Sequence, residues 1–148
     1  MELAEHIAAV RAGAGDPAAM VGEFRRTAVL VPVADDGFMT AEYGGIRWIY
    51  AFTDESALAR FATARGSAPG QEWEYAAVLG ARLLDVMVPE MGRPAGVAVD
   101  VADEDGSMMF PPVRGIVPDE VAVDMDDDGD EAGADGGVGG ERAQGAGQ

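Results

Sequence analysis

The 148-residue chain has no cysteine, no lysine and a single histidine. The missing cysteines exclude disulfide stapling, a thiolate nucleophile and sulfur-ligated zinc. The missing lysines exclude Schiff-base chemistry and the lysine of a phosphate-binding loop. His6 is unaccompanied in sequence, so a nucleophile, base and orienting group would have to converge on it from unrelated places, and a solvated residue on a helix flank is the plainer reading. Positive charge is also scarce, at 10 arginines against 27 acids, a net charge of −17. Both the first 118 residues and the last 30 are acidic, which disfavours nucleic acid and anionic lipid, whose binding depends on cationic contacts. Acidity of this kind serves solubility first and a basic protein partner second. No run of about 18 apolar residues is present, and the opening MELAEHIAAV has acids where a signal peptide needs cations. The expectation is a soluble, unexported protein without a cofactor.

What is present reads as one α/β domain over residues 1–123 followed by an Asp- and Gly-rich tail over 124–148 that has too little to bury to order itself. Leu3, Ile7 and Val10 mark one face of a first helix, and Asp16-Pro17 opens a second carrying Met20, Val21 and Phe24. Ala28 to Val33, Phe38 to Tyr43 and Ile46 to Phe52 are separated by Asp35-Asp36-Gly37 and Gly44-Gly45, which predicts a three-stranded antiparallel meander. Pro32 has no amide to give a ladder and must face away from a neighbour or lie near the strand end. Thr53 or Asp54 caps a helix with Leu58, Phe61 and Ala62 inward that closes at Arg65-Gly66. A strand near 74–79, a helix near 81–88 stopped by Pro89, and a strand over 96–101 then predict a parallel crossover. The whole is a mixed sheet, antiparallel early and parallel late.

The runs AVLVPV, IYAFTDESALARFA, ARLLDVMVP and GVAVDV, in that order, resemble the N-terminal domain of the SseB family across roughly residues 1–123. The most specific stretches are Tyr50 to Phe61 and GVAVDVADEDG, both patterns of fold residues. The resemblance implies an α/β sandwich, a cytoplasmic bacterial setting and a protein-interaction role, with no established catalytic residues to carry over. Two-domain members add a C-terminal domain that has no counterpart in these residues.

Trp48, Tyr50, Trp73 and Tyr75 alternate as a half-buried sheet face demands, which makes most of them core; Trp73, after a polar linker, is expected partly exposed. Trp73, Met91, Met108, Met109 and Phe110 are the expected protein-binding anchors, methionine being a side chain that repacks around different partners. Met87 is expected in the core. The rival reading is an enzyme using a carboxylate pair among Asp100, Asp103 and Asp105, residues that turn chemistry also explains. A narrower form of the binding reading is an acidic neutralising partner of a basic toxin. Asp124, Asp126, Asp128 and Asp135 have the spacing of a calcium loop, but Glu131, the Asp in place of the last bidentate Glu, and Gly136 to Gly140 in place of an exiting helix argue for a solvated charge run. No metal site is expected.

Overall fold

The computed structural model describes residues 2–34, 37–68 and 73–123. The described residues up to Pro111 form one compact unit, and those from Pro112 to Val123 belong to a second. The expected acidic tail and the calcium-like aspartates at 124, 126, 128 and 135 lie outside the described residues.

In the first unit, α1 (Leu3–Arg11) buries Leu3 and Ile7, and α2 (Pro17–Arg26) buries Met20 and Phe24. Asp16 caps α2 by accepting the Ala18 N–H, and Pro17 occupies the first helical position, where no amide is needed. The strands are β1 (Ala28–Ala34), β2 (Gly37–Phe38), β3 (Thr40–Tyr43) and β4 (Ile46–Ala51). α3 (Glu55–Ala64) follows, then β5 (Tyr75–Leu79), β6 (Ala95–Val99) and β7 (Met108–Phe110). They form two sheets, of order β2-β1-β5 and β3-β4-β6-β7. Every pairing is antiparallel except β4 with β6. The architecture is therefore mixed α/β, as the sequence predicts.

Three features differ from the expected layout. The middle strand of the meander is broken at Met39: Phe38 pairs with β1, whereas Thr40 pairs with β4. The two sheets are joined beside that break by reciprocal backbone bonds between Leu30 and Phe52, both 2.8 Å. Second, the strands flanking the 80–90 helix are not neighbours. β5 turns to β1, and β6 instead takes β4 as its parallel partner. Third, Pro89 does not stop the helix, which runs through α4 (Gly80–Arg82), a π-turn (Leu83–Met87) and α5 (Val88–Glu90). Pro89 cannot donate to the carbonyl four residues back, and its ring crowds that carbonyl; the wider turn, in which Val88 N–H reaches Leu83 O, makes room for it.

Pro32 is accommodated by register. Val33 N–H bonds Glu74 O and Gly80 N–H bonds Thr27 O, so odd residues of β1 face β5 and even ones face away. The missing amide of Pro32 thus falls on the other side, where its carbonyl accepts from Met39 N–H at 2.8 Å.

β4 and β6 form the centre of the core. Tyr50 and Phe52 meet Phe61 of α3 at ring separations of 4.8 and 5.0 Å. Ile49, pointing the opposite way, lies beside Met87 and Met91. Helices therefore cover both faces, and all five residues of β6 are buried. Two glycines permit close approach. Gly96 lies under the Trp48 ring and against Phe110 O, and Gly80 abuts the Phe24 backbone.

In the second unit, the described residues hold a 3-10 turn at Asp119–Val121, and Val123 N–H closes on Pro112 O at 2.8 Å.

Candidate functional site

The C-terminal ends of the parallel pair, where open α/β sheets place ligands, carry a polar constellation built on Thr53, Asp54, Asp100 and Asp103. β4 ends at Ala51, and Asp54 caps α3 by accepting the Ala57 N–H at 2.8 Å, which decides between the two expected caps. β6 ends at Val99, and Asp100 turns the chain with φ of 52°. Asp is among the few non-glycine residues that tolerate this conformation. Asp100 is only 4 % exposed, and its carboxylate accepts from Thr53 N–H at 2.9 Å and from Thr53 Oγ1 at 2.8 Å. Asp103 takes a two-pronged bond from Arg60, at 2.6 and 2.8 Å. Arg11 of α1 donates to the carbonyls of Glu104 and Ser107, both at 2.8 Å. Asp105 is exposed on the same loop.

The carboxylates of the enzyme reading are thus engaged in fastening the 100–107 loop to Thr53, α3 and α1. Their proton affinities diverge. Burial pushes the Asp100 carboxyl up, opposed by the two Thr53 bonds and aided by the charges of Asp103 and Asp54. The Arg60 bond holds Asp103 down. The folded state therefore binds the Asp100 proton more tightly than the unfolded chain, and this contribution to stability is lost as pH rises through the raised value. Asp103 contributes in the opposite sense, with stability present above its unfolded value and lost as pH falls.

Asp100→Asn follows as a test. The amide keeps an acceptor for Thr53 N–H, donates to Thr53 Oγ1, tolerates positive φ and removes the buried charge. Thermal melts should place it at or above the wild type at neutral pH, with the advantage shrinking in acid. Asp100→Ala leaves a buried amide unpaired and should cost about 1–3 kcal/mol. A collapse of Asp100→Asn at neutral pH would show that the charge itself is needed.

Beside this loop lies a cleft of about 470 Å³ lined by Glu2, Leu3, Ala4, Glu5, Thr27, Thr53 and Asp54. Its acids belong to helix starts: Glu5 accepts Glu2 N–H at 2.8 Å, and Asp54 caps α3. His6 is half-buried on α1; its backbone N–H donates to Glu2 O at 3.1 Å, and its imidazole has no hydrogen-bond partner among the described residues. No group of three metal-ligating side chains is found among those residues.

The expected binding anchors separate. Trp73 is half-buried, edge-on to Phe61 at 5.8 Å with its N–H on Ser67 Oγ at 2.8 Å. Met91 lines an apolar groove of about 160 Å³ with Phe38, Thr40, Ile49 and Met87. Since Phe61 packs on Tyr50 and the groove on Ile49, Trp73 and Met91 serve opposite faces of β4 and do not form one patch. Met87, expected in the core, is half-buried at this groove. Met108 is half-buried and Met109 exposed on β7. Phe110 corrects the expectation outright. It is 0 % exposed and stacked on Phe24 at 4.5 Å, because the two-residue alternation that turns Met109 outward turns Phe110 into the core.

Sequence reasoning missed Phe38 and Ile49 as groove residues. The only signal was Phe38 beside the Asp-Gly turn, and the break at Met39, between the groove residues Phe38 and Thr40, has no local signature.

No helix among the described residues is long and apolar enough to cross a membrane. No curated protein and no solved structure matches the chain. Residues 3–113 match the family model described as SseB protein N-terminal domain, covering the compact unit almost from end to end, and the chain belongs to that family.

Proposed function

We propose that the domain is a non-enzymatic protein-interaction module that takes an apolar side chain of a partner into the groove formed by Phe38, Thr40, Ile49, Met87 and Met91. The groove carries this reading. At about 160 Å³ it lies below the roughly 300–1,000 Å³ of metabolite pockets, and a single large side chain suits it better. Two methionines let it repack around that side chain. The acidic surface favours a basic partner and speeds encounter. The engagement of Asp100 and Asp103 by Thr53 and Arg60 supports the same reading, since it accounts for these carboxylates without turnover.

Affinity capture from the native cell with the full chain, its Met91→Ala variant and its Trp73→Ala variant tests this. One protein should be recovered repeatedly, and Met91→Ala should weaken its capture about tenfold, as expected for a central apolar anchor. Trp73→Ala, on the opposite face, should leave capture unchanged. Capture indifferent to Met91→Ala would overturn the groove as the binding site, and a metabolite pool that shifts with the chain and stops shifting in Asp100→Asn would replace the reading with the carboxylate enzyme.

A further inference from the structure

The sheets present four outer strands, and three are guarded against further pairing. β2 has two residues. β3 carries Glu42, bonded to Arg47 and Arg93. β7 has three residues and runs into Pro111-Pro112. Short length, charge and proline are the usual protections of a sheet edge. β5 has none of them: Tyr75–Leu79, YAAVL, is five residues without charge, proline or glycine.

The register determines which backbone groups of β5 are free. Glu74 and Gly80 bond to β1, so the even residues 74–80 spend their amides and carbonyls on that strand. Tyr75, Ala77 and Leu79 direct theirs outward, and among the described residues no backbone bond reaches Tyr75 or Ala77. The side chains of these three are also exposed, Tyr75 at 38 % and Leu79 at 51 %. The edge thus offers unspent hydrogen-bonding groups bordered by apolar surface.

Charge indicates what would pair there. At the Tyr75 end, Glu55 accepts from the Tyr75 hydroxyl and Glu74 is exposed. At the Leu79 end the chain continues to Arg82, while Arg25 and Arg26 are bonded to Asp85 and Glu23. A second copy would be a chain of the same net charge, −17, and would be repelled as a whole. We infer that β5 is a docking edge that adds an extended segment of a partner protein as a further strand, with apolar residues over Ala77 and Leu79 and arginine or lysine at the Tyr75 end. This rests on the reading of the chain as an interaction module, but it uses a surface separate from the Met91 groove and fixes the conformation and charge of the partner segment.

The test uses the full chain and a synthetic ten-residue peptide that alternates valine with threonine and carries two arginines at one end, monitored by amide NMR and hydrogen exchange. Binding should protect the Tyr75 and Ala77 amides. Ala77→Pro removes one outward amide without touching the β1 ladder, and Ala77→Lys keeps that amide but repels the arginines. Each should weaken the peptide at least tenfold, and Met91→Ala should not. If Ala77→Pro fails to fold, Ala77→Lys decides alone. A peptide with glutamates for arginines should bind at least tenfold more weakly. Protection elsewhere in the chain, equal binding by Ala77→Lys, or protection of β5 that appears with protein concentration in the absence of peptide would overturn the proposal, the last in favour of self-pairing. Loss of the groove phenotype with an intact peptide response would overturn the groove reading alone.

Discussion

Gly80→Ala should unfold the domain at a temperature lower by about 10 °C or more, measured by circular dichroism, the largest loss expected from adding one methyl group. A Cβ at this position would sit 2.0 Å from Phe24 O and 2.8 Å from Phe24 C, both backbone atoms with no rotamer to move them aside. The end of α2 must then shift as a body. That shift strains the Gly80 N–H bond to Thr27 O, 2.9 Å long, and the stack of Phe24 on Phe110. Overpacking a well-filled site costs about 1–3 kcal/mol and more when backbone is displaced. Gly22→Ala is the control. Within α2 its Cβ would meet only the flexible end of Arg26 at 3.4 Å, and replacing a mid-helix glycine should stabilise by about 0.5–1 kcal/mol. The two changes have the same chemistry and opposite expected signs. A Gly80→Ala variant that melts with the wild type would mean that α2 is not seated against the 80–90 helix.

Local chemistry and the antiparallel pairing across the two short turns were legible in the sequence, and long-range pairing was not. Asp16-Pro17, the cap before Glu55, and the alternation of Trp48, Tyr50 and Phe52 each record a constraint confined to a few adjacent residues, and the corresponding elements form where expected. β5 illustrates the limit. Its apolar run identifies a strand, but nothing within it says that β1, some 45 residues earlier, is its partner, or that β6 pairs with β4. The Met39 break and the π-turn before Pro89 are likewise settled by packing. The candidate site was half visible for the same reason. Met91 was expected at a binding surface and does line a groove, whereas Phe38 and Ile49 reach it only through the fold. The aspartates at 100 and 103 were recognisable as turn residues. That Thr53 and Arg60 hold them depends on contacts more than 40 residues apart in sequence.

Phe110→Ala should separate the core from the interaction surface more sharply than any other single change. The residue ends β7 opposite Val97 and is fully buried, with its ring stacked on Phe24 at 4.5 Å and an interplanar angle of 20°, and its carbonyl over Gly96. Removing a ring of this kind costs about 3–5 kcal/mol, the lost transfer energy adding to an imperfectly collapsed cavity. For a domain of this size that corresponds to a fall of roughly 10–30 °C in Tm. The cavity would open between α2 and β7, so amide exchange should accelerate around Phe24 and Val97 before it does around Phe61. Met109→Ala, one residue earlier and exposed, should change Tm by no more than about 1–2 °C. If Phe110 were an interaction anchor, the order would invert, with partner capture lost and stability kept. A Phe110→Ala protein that melts within a few degrees of the wild type would show that the Phe24 stack is not a support of the fold.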